Sequence, residues 1–426
     1  MTTSDAFERN LSMWLHEDAE HHVPDHLEEV LQRTAATRQR PAWSSLERWL
    51  PMDTTFRRSV FARPTPVRQL ALLLLIALLI AALVAIAVGT RRTPPPYGLA
   101  RNGAIVASHD GEIYAIDPVT SAPSLLVGGD GFDFSPIYSR DGSRFAFVRS
   151  AGVPSADAPL MLSLMVANAD GSGVRALSDP VEDIAWFDWS PSGSQIAYMA
   201  DFGKISVVNV DGSGSTTLDV GRPGHFVTWL PPDGSEILFR GERSKPSDPP
   251  PGIFAVRPDG TGLREVSIKP PNNDFDYQSL TVAPDGSRVS FARFTSNGTP
   301  SVVILDLRSG EETVLPHPPG SSQSGGGVFS PDGTLVAFSR LYADGSYQPV
   351  VAPADGSSEG TALGPRASGD TEGSSYIFTP DGTALVAGLG QDDLRVIYRL
   401  PIDGSPWSIL SEGGTFSFTD TQRLAP

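Results

Sequence analysis

From Arg101 to the end of the chain, apolar and polar positions alternate in short runs broken by turn residues, whereas the run from Leu70 to Val88 is apolar at every position. The alternation belongs to one motif used repeatedly. "IYSRDGSRFAF", "DWSPSGSQIAY", "TWLPPDGSEILF", "TVAPDGSRVSF", "VFSPDGTLVAF" and "IFTPDGTALVA" carry turn glycines at Gly142, Gly193, Gly234, Gly286, Gly333 and Gly382, spaced 51, 41, 52, 47 and 49 residues apart. Proline suits the first central position of a type I turn, aspartate tolerates the second, and glycine accepts the positive φ that follows, so each copy predicts a hairpin loop. Behind the glycine, apolar residues fall two apart, as in Phe145 and Phe147, Ile196 and Tyr198, or Val336 and Phe338. That is the period of a strand burying one face.

A second series, including "LMVANADGSG", "ISVVNVDGSG", "IFAVRPDGTG" and "IYRLPIDGSP", interleaves with the first, seven members against six. "RNGAIVAS" offers a seventh turn at Asn102 and Gly103 without a strand before it, and "GTFSFTD" near the chain end offers a strand without a turn after it. Pairing the two closes a ring and hides its open edges. Four strands per unit and a period of about 40–50 residues predict an all-β fold over residues 101–426, a β-propeller of seven blades, with six as the alternative.

The "SPDG" turn, the "xIAF" strand and the "IYxxDxDG" hairpin resemble the WD-like repeats of TolB-type propellers, over roughly three-quarters of the chain. The resemblance implies extracytoplasmic placement and binding of a protein or ligand at a face of the ring, with no catalytic residues to carry over. Propellers of that family commonly have six blades.

The 19 uninterrupted apolar residues at 70–88 match, as a helix, a hydrocarbon core roughly 30 Å thick. A transmembrane helix is expected over 67–90, uncleaved because 69 residues precede the run. Arginines dominate on the N-terminal side, so residues 1–66 are expected in the cytoplasm and the propeller outside, with "TPPPYG" in the 91–100 stem as an extended polyproline spacer. Within 1–66, Phe7, Leu11, Trp14 and Leu15 share one helical stripe; Leu27, Val30 and Leu31 share a second, and Leu46, Trp49 and Leu50 a third. Three short amphipathic helices have little core of their own and await a cytoplasmic protein partner. A short helical piece, one span and a large outer domain resemble the architecture of membrane-bound anti-sigma regulators, without the zinc motif that some of them carry, since the chain has no cysteine.

Charge narrows the partners. Residues 101–426 carry 21 Lys and Arg against 39 Asp and Glu, a surface that repels phosphate backbones and argues against nucleic-acid binding by this domain. Sought chemistry is mostly absent. "GSSEG" at 356–360 matches the G-x-S-x-G pattern but sits in a repeat hairpin with no strand–turn–helix around it. His109, His225 and His317 lie far apart, and the "NADGSG" type of turn lacks the distal glutamate of a calcium loop. No cofactor, metal site or catalytic set is expected. Trp186, Trp189 and Trp229 cluster in neighbouring repeats as blade core and as candidates for a binding face, alongside Trp14 and Trp49 on the cytoplasmic side. The expectation is a membrane-anchored, non-enzymatic binding propeller, with a transmembrane regulator as the alternative.

Overall fold

The computed structural model of the chain describes residues 73–76 and 94–425, apart from 153–160, 202, 243–250, 267–277, 295–299, 369–374, 391–395 and 412–416. The chain divides into two units, Met1–Ala82 and Leu83–Pro426. In the first, residues 73–76 are helical with exposed side chains. Among the described residues no helix is long and apolar enough to cross a membrane. The remainder of the expected span, and the helices expected in 1–66 with Trp14 and Trp49, lie outside the described residues.

In the second unit the described strands form seven antiparallel sheets, six of four strands and one of five. The expected seven-bladed propeller is what the chain builds. The first strand of each blade faces the central axis: Ser417–Leu424 in blade 1, then Phe132–Tyr138, Ile184–Trp189, Gly224–Trp229, Gln278–Val282, Ser321–Phe329 and Ser375–Phe378 in blades 2 to 7. Blade 1 takes its inner strand from the chain end and its other three, Arg101–His109, Glu112–Ile116 and Pro123–Val127, from the start of the repeats. The ring therefore closes by pairing Arg101 with Leu424 and Val106 with Asp420.

The turn at Asn102 and Gly103 is corrected. Both lie inside strand Arg101–His109, where Gly103 and Ala104 bulge opposite Gln422. Two chain ends meet at this place in the ring, so no turn joins them. The other six turns form as read, with φ between 66° and 72° at Gly142, Gly193, Gly234, Gly286, Gly333 and Gly382.

The expectation that each strand buries one face is also corrected, because blades stack face to face around the axis. Buried clusters fill every blade-to-blade gap. Phe145 and Phe147 pack with Val106 and Ile113 of blade 1, while Ala146 and Val148, on the same strand, pack with Phe187 and Trp189 of blade 3. In blade 3, Ile196 and Tyr198 point back to blade 2, and Ala197 and Met199 point forward to blade 4. Larger residues thus fill the gap behind, and smaller ones such as Ala146, Ala197 and Ala337 let the next blade approach.

Candidate functional site

The seven inner strands surround a channel of about 1200 Å³. Its wall is mainly apolar, with Phe134, Trp186, Phe226, Leu280, Phe329 and Ile377 contributed by six blades. Six of the seven inner strands slip register against their partners, as between Phe134 and Ile137, Ile184 and Trp186, or His225 and Thr228. A bulge bends its strand and re-aims a side chain. Phe226 is the sharpest case: it sits at a bulge with φ of 54°, a conformation that a bulky residue adopts at a cost. Its ring meets Trp186 edge to face at 5.4 Å, and both line the channel beside exposed His225. The ring also packs on the buried cluster of Leu238, Ile253 and Leu280, so the bulge fixes an aromatic edge on the channel wall.

Most charged residues of the channel lining lie at its mouth on the turn side, Arg240 being the exception, and this mouth is asymmetric. Five of the six turns place proline at the first central position, at Pro191, Pro231, Pro284, Pro331 and Pro380, the blade 4 turn being one residue longer; blade 2 places Arg140 there. Arg140 Nη2 donates to Asp188 Oδ1 at 2.7 Å. Asp188 is 8% exposed and also accepts from Thr228 Oγ1 at 2.9 Å and Trp229 N at 3.0 Å, so its charge is fully engaged. Asp420 occupies the matching position in blade 1, paired with Val106 as Asp188 is with Ala197. It accepts from Tyr138 N and Thr421 N, both at 2.7 Å. Burial pushes the Asp420 carboxyl up to about 6, against those two bonds and the guanidiniums of Arg140 and Arg423. Burial and repulsion from Arg140 lower the pKa of Arg423, while Asp188, Tyr97 and Asp420 outweigh the burial of Arg140 and raise it.

Residues 94–98 of the stem lie at this mouth, with Pro96, Tyr97 and Gly98 in the channel lining. Within the expected stem, Arg423 Nη2 donates to the carbonyls of Pro95 at 3.1 Å and Gly98 at 2.7 Å, and the backbone bends at 96–98. Arg140 stands over the Tyr97 ring, 5.3 Å from its centroid.

Of the tryptophans singled out from sequence, Trp186 is half-buried and faces the channel. Trp229 lies in the channel wall but is 2% exposed, its indole donating to Asp188 O at 3.1 Å. Trp189 is fully buried, its indole donating to Ile137 O of the preceding blade at 3.0 Å, which takes it out of reach of a partner. His109, His225 and His317 stay apart, and among the described residues no group of three or more His, Cys, Asp or Glu is placed to hold a metal ion. Sequence reasoning missed Arg140, Asp188, Asp420, Arg423 and Phe226. For Arg140 the signal was present, as the one break in the proline column of the repeat.

No family model matches the chain, and no curated protein matches it. Among solved structures it is similar to TolB from Acinetobacter baumannii, 18% identical over 75% of this chain and 81% of that one, with a TM-score of 0.49. It is similar to a puromycin hydrolase S511A mutant, 15% identical over 71% of this chain and 50% of that one, at 0.49. An oligogalacturonate lyase in complex with manganese is 15% identical over 55% and 70%, at 0.44.

Proposed function

We propose that the protein is a membrane-anchored, extracytoplasmic binding module that holds a protein segment or small ligand in the channel of its propeller without transforming it. The observation that carries this reading is the strained Phe226 beside Trp186 in an apolar channel of about 1200 Å³, a volume suited to a side-chain cluster or a small molecule. The uninterrupted apolar run at 70–88 supports the anchor, and its arginine-rich N-terminal side supports a cytoplasmic N-terminus. A second reading, a regulator that relays channel occupancy to a cytoplasmic protein on residues 1–66, is favoured by one contact: the stem that follows the apolar run is bonded to the channel mouth through Arg423.

A photo-crosslinking phenylalanine analogue placed at position 226 in cells is expected to give a discrete adduct that Trp186→Ala abolishes, while the same analogue at exposed Val119 gives none. No adduct at 226 overturns the reading. An activity of the purified chain lost in Asp188→Asn or Asp420→Asn would replace binding with catalysis. A reporter fused after Pro426 is expected to be active outside the cytoplasm; activity inside removes the topology.

A further inference from the structure

The stem at the channel mouth is bound as a peptide would be bound. Arg423 does not recognise a stem side chain; its guanidinium reads two backbone carbonyls, those of Pro95 and Gly98, which bracket the Tyr97 ring. Arg140 covers that ring, a cation over an aromatic face. Arg140 is itself the departure from the proline column, anchored by Asp188 and bordered by Asp420. The residue that breaks the repeat is thus the one that touches the tyrosine. Carbonyls read on either side of an aromatic ring suit a proline-rich bend, because its prolines leave carbonyls unpaired and restrict the backbone in advance.

The fit is incomplete. Arg140 Nε and Arg423 Nε are buried without a hydrogen-bond partner among the described residues, and Tyr97 Oη is met by the Arg140 guanidinium alone. A buried donor left unmet costs free energy that a better occupant recovers. We propose that residues 94–98 are an internal pseudo-ligand: the turn-side mouth is a site for a proline-rich peptide that bends at a tyrosine, and the stem fills it until such a peptide takes its place. This rests on the channel being a binding site and names the chemistry and regulation of its mouth. A tethered segment acts at an effective concentration on the order of millimolar, so an added peptide competes poorly until the stem lets go.

The test uses the full chain in detergent and a fluorescein-labelled synthetic peptide of residues 92–100, followed by anisotropy. A release variant carrying Pro94→Gly, Pro95→Gly, Pro96→Gly and Tyr97→Ser is expected to bind the peptide about tenfold or more tighter than the unaltered chain. A peptide with Tyr97→Ser is expected not to bind. Adding Arg423→Ala to the release variant removes binding. So does Arg140→Pro, which installs the residue the other five turns carry and so preserves the turn. The proposal is overturned if the release variant, unfolding at the same temperature as the unaltered chain, binds no better, or if the serine peptide binds equally. Tighter peptide binding without an adduct at position 226 would retire the mid-channel reading and keep the mouth; an adduct at 226 without any gain on release would do the reverse.

Discussion

At the repeat turns, aspartate does more than tolerate its backbone position. Asp332 Oδ1 accepts from Ser330 Oγ at 2.6 Å, Thr334 N at 3.1 Å and Thr334 Oγ1 at 2.9 Å, and Asp381 repeats the set with Thr379 and Thr383. In the turns of blades 2, 6 and 7 the working unit is therefore Ser/Thr-x-Asp-Gly-Ser/Thr, a local network that closes the hairpin from within. Glycine has a second duty where neighbouring blades touch. A Cβ on Gly142 would run into the carbonyl of Arg423, whereas one on Gly345 would meet nothing within 4 Å. Both sit at positive φ, 67° and 79°. Gly345→Ala is expected to lose about 1 kcal/mol, the backbone penalty alone, and Gly142→Ala more than about 2 kcal/mol; urea unfolding of the two variants checks the ranking. Acid sensitivity is set by two opposed kinds of carboxylate. Although burial pushes Asp332 up, its hydrogen bonds hold it below the usual range, so its contribution is present above the unfolded value and lost as pH falls through the folded one. Asp420 runs the other way: between the ordinary carboxylate value of 3.8 and about 6 the folded protein keeps a proton that the unfolded chain has released, so stability falls as pH rises through that window. Thermal midpoints measured across it should decline in the unaltered chain and flatten in Asp420→Asn, with the acid limb below it retained.

Between blades, the recurring element is an inner strand stapled to its neighbour. Trp189 and Trp229 each end an inner strand and donate the indole N–H to a carbonyl of the blade before, Ile137 in one case and Asp188 in the other. Asp188 and Asp420 accept a backbone N–H from the blade after, at Trp229 and Tyr138. Trp189→Ala, which empties a fully buried site, is expected to destabilise by about 3–5 kcal/mol, and Trp189→Phe by about 1–2 kcal/mol for the lost hydrogen bond. Trp186→Ala, half-buried on the channel side, should lower the unfolding midpoint by less than Trp189→Ala while abolishing the adduct at 226. The contrast shows what sequence can and cannot report. Turns, strand period and blade count were legible because each is local and repeated, with glycine and aspartate fixed by backbone geometry. Which of three nearby tryptophans faces the channel was not: alternation puts positions 186 and 189 on opposite faces, and the bulge before Trp186 that sets how the strand meets the channel shows only in its pairing with the partner strand. Phe226 was hidden for the same reason. The mouth was half legible: Arg140 stands out of its column, but its meeting with Asp188, Asp420, Arg423 and the stem depends on ring closure across nearly the whole repeat region.

At the scale of the whole propeller unit, closure by the last strand is the condition on which the other six blades depend. Each blade is buried only by its two neighbours, so a ring with one defective blade exposes an apolar face on either side of the gap and a free strand edge within it. Strand Ser417–Leu424 supplies more than the fourth strand of blade 1. Asp420 ties it to Tyr138 in blade 2, Gln422 Nε2 donates to the Gly142 carbonyl at 2.8 Å, and Thr421 and Asn102 reach Phe378 and Asp381 of blade 7. Ending the chain after Ser411 removes all of these except the Asn102–Asp381 pair, and leaves Arg101–His109 as an unpaired edge beside the channel. The truncated chain is therefore expected to lose its cooperative unfolding transition and to aggregate, although six complete blades remain. Supplying residues 412–426 as a separate synthetic peptide should restore the transition, with a midpoint that rises with peptide concentration, because the strand binds only the closed ring and so stabilises it by mass action. A truncated chain that unfolds cooperatively at the full-length midpoint, indifferent to the peptide, would mean that the blades are held by their sheets alone and that the closing strand is an accessory.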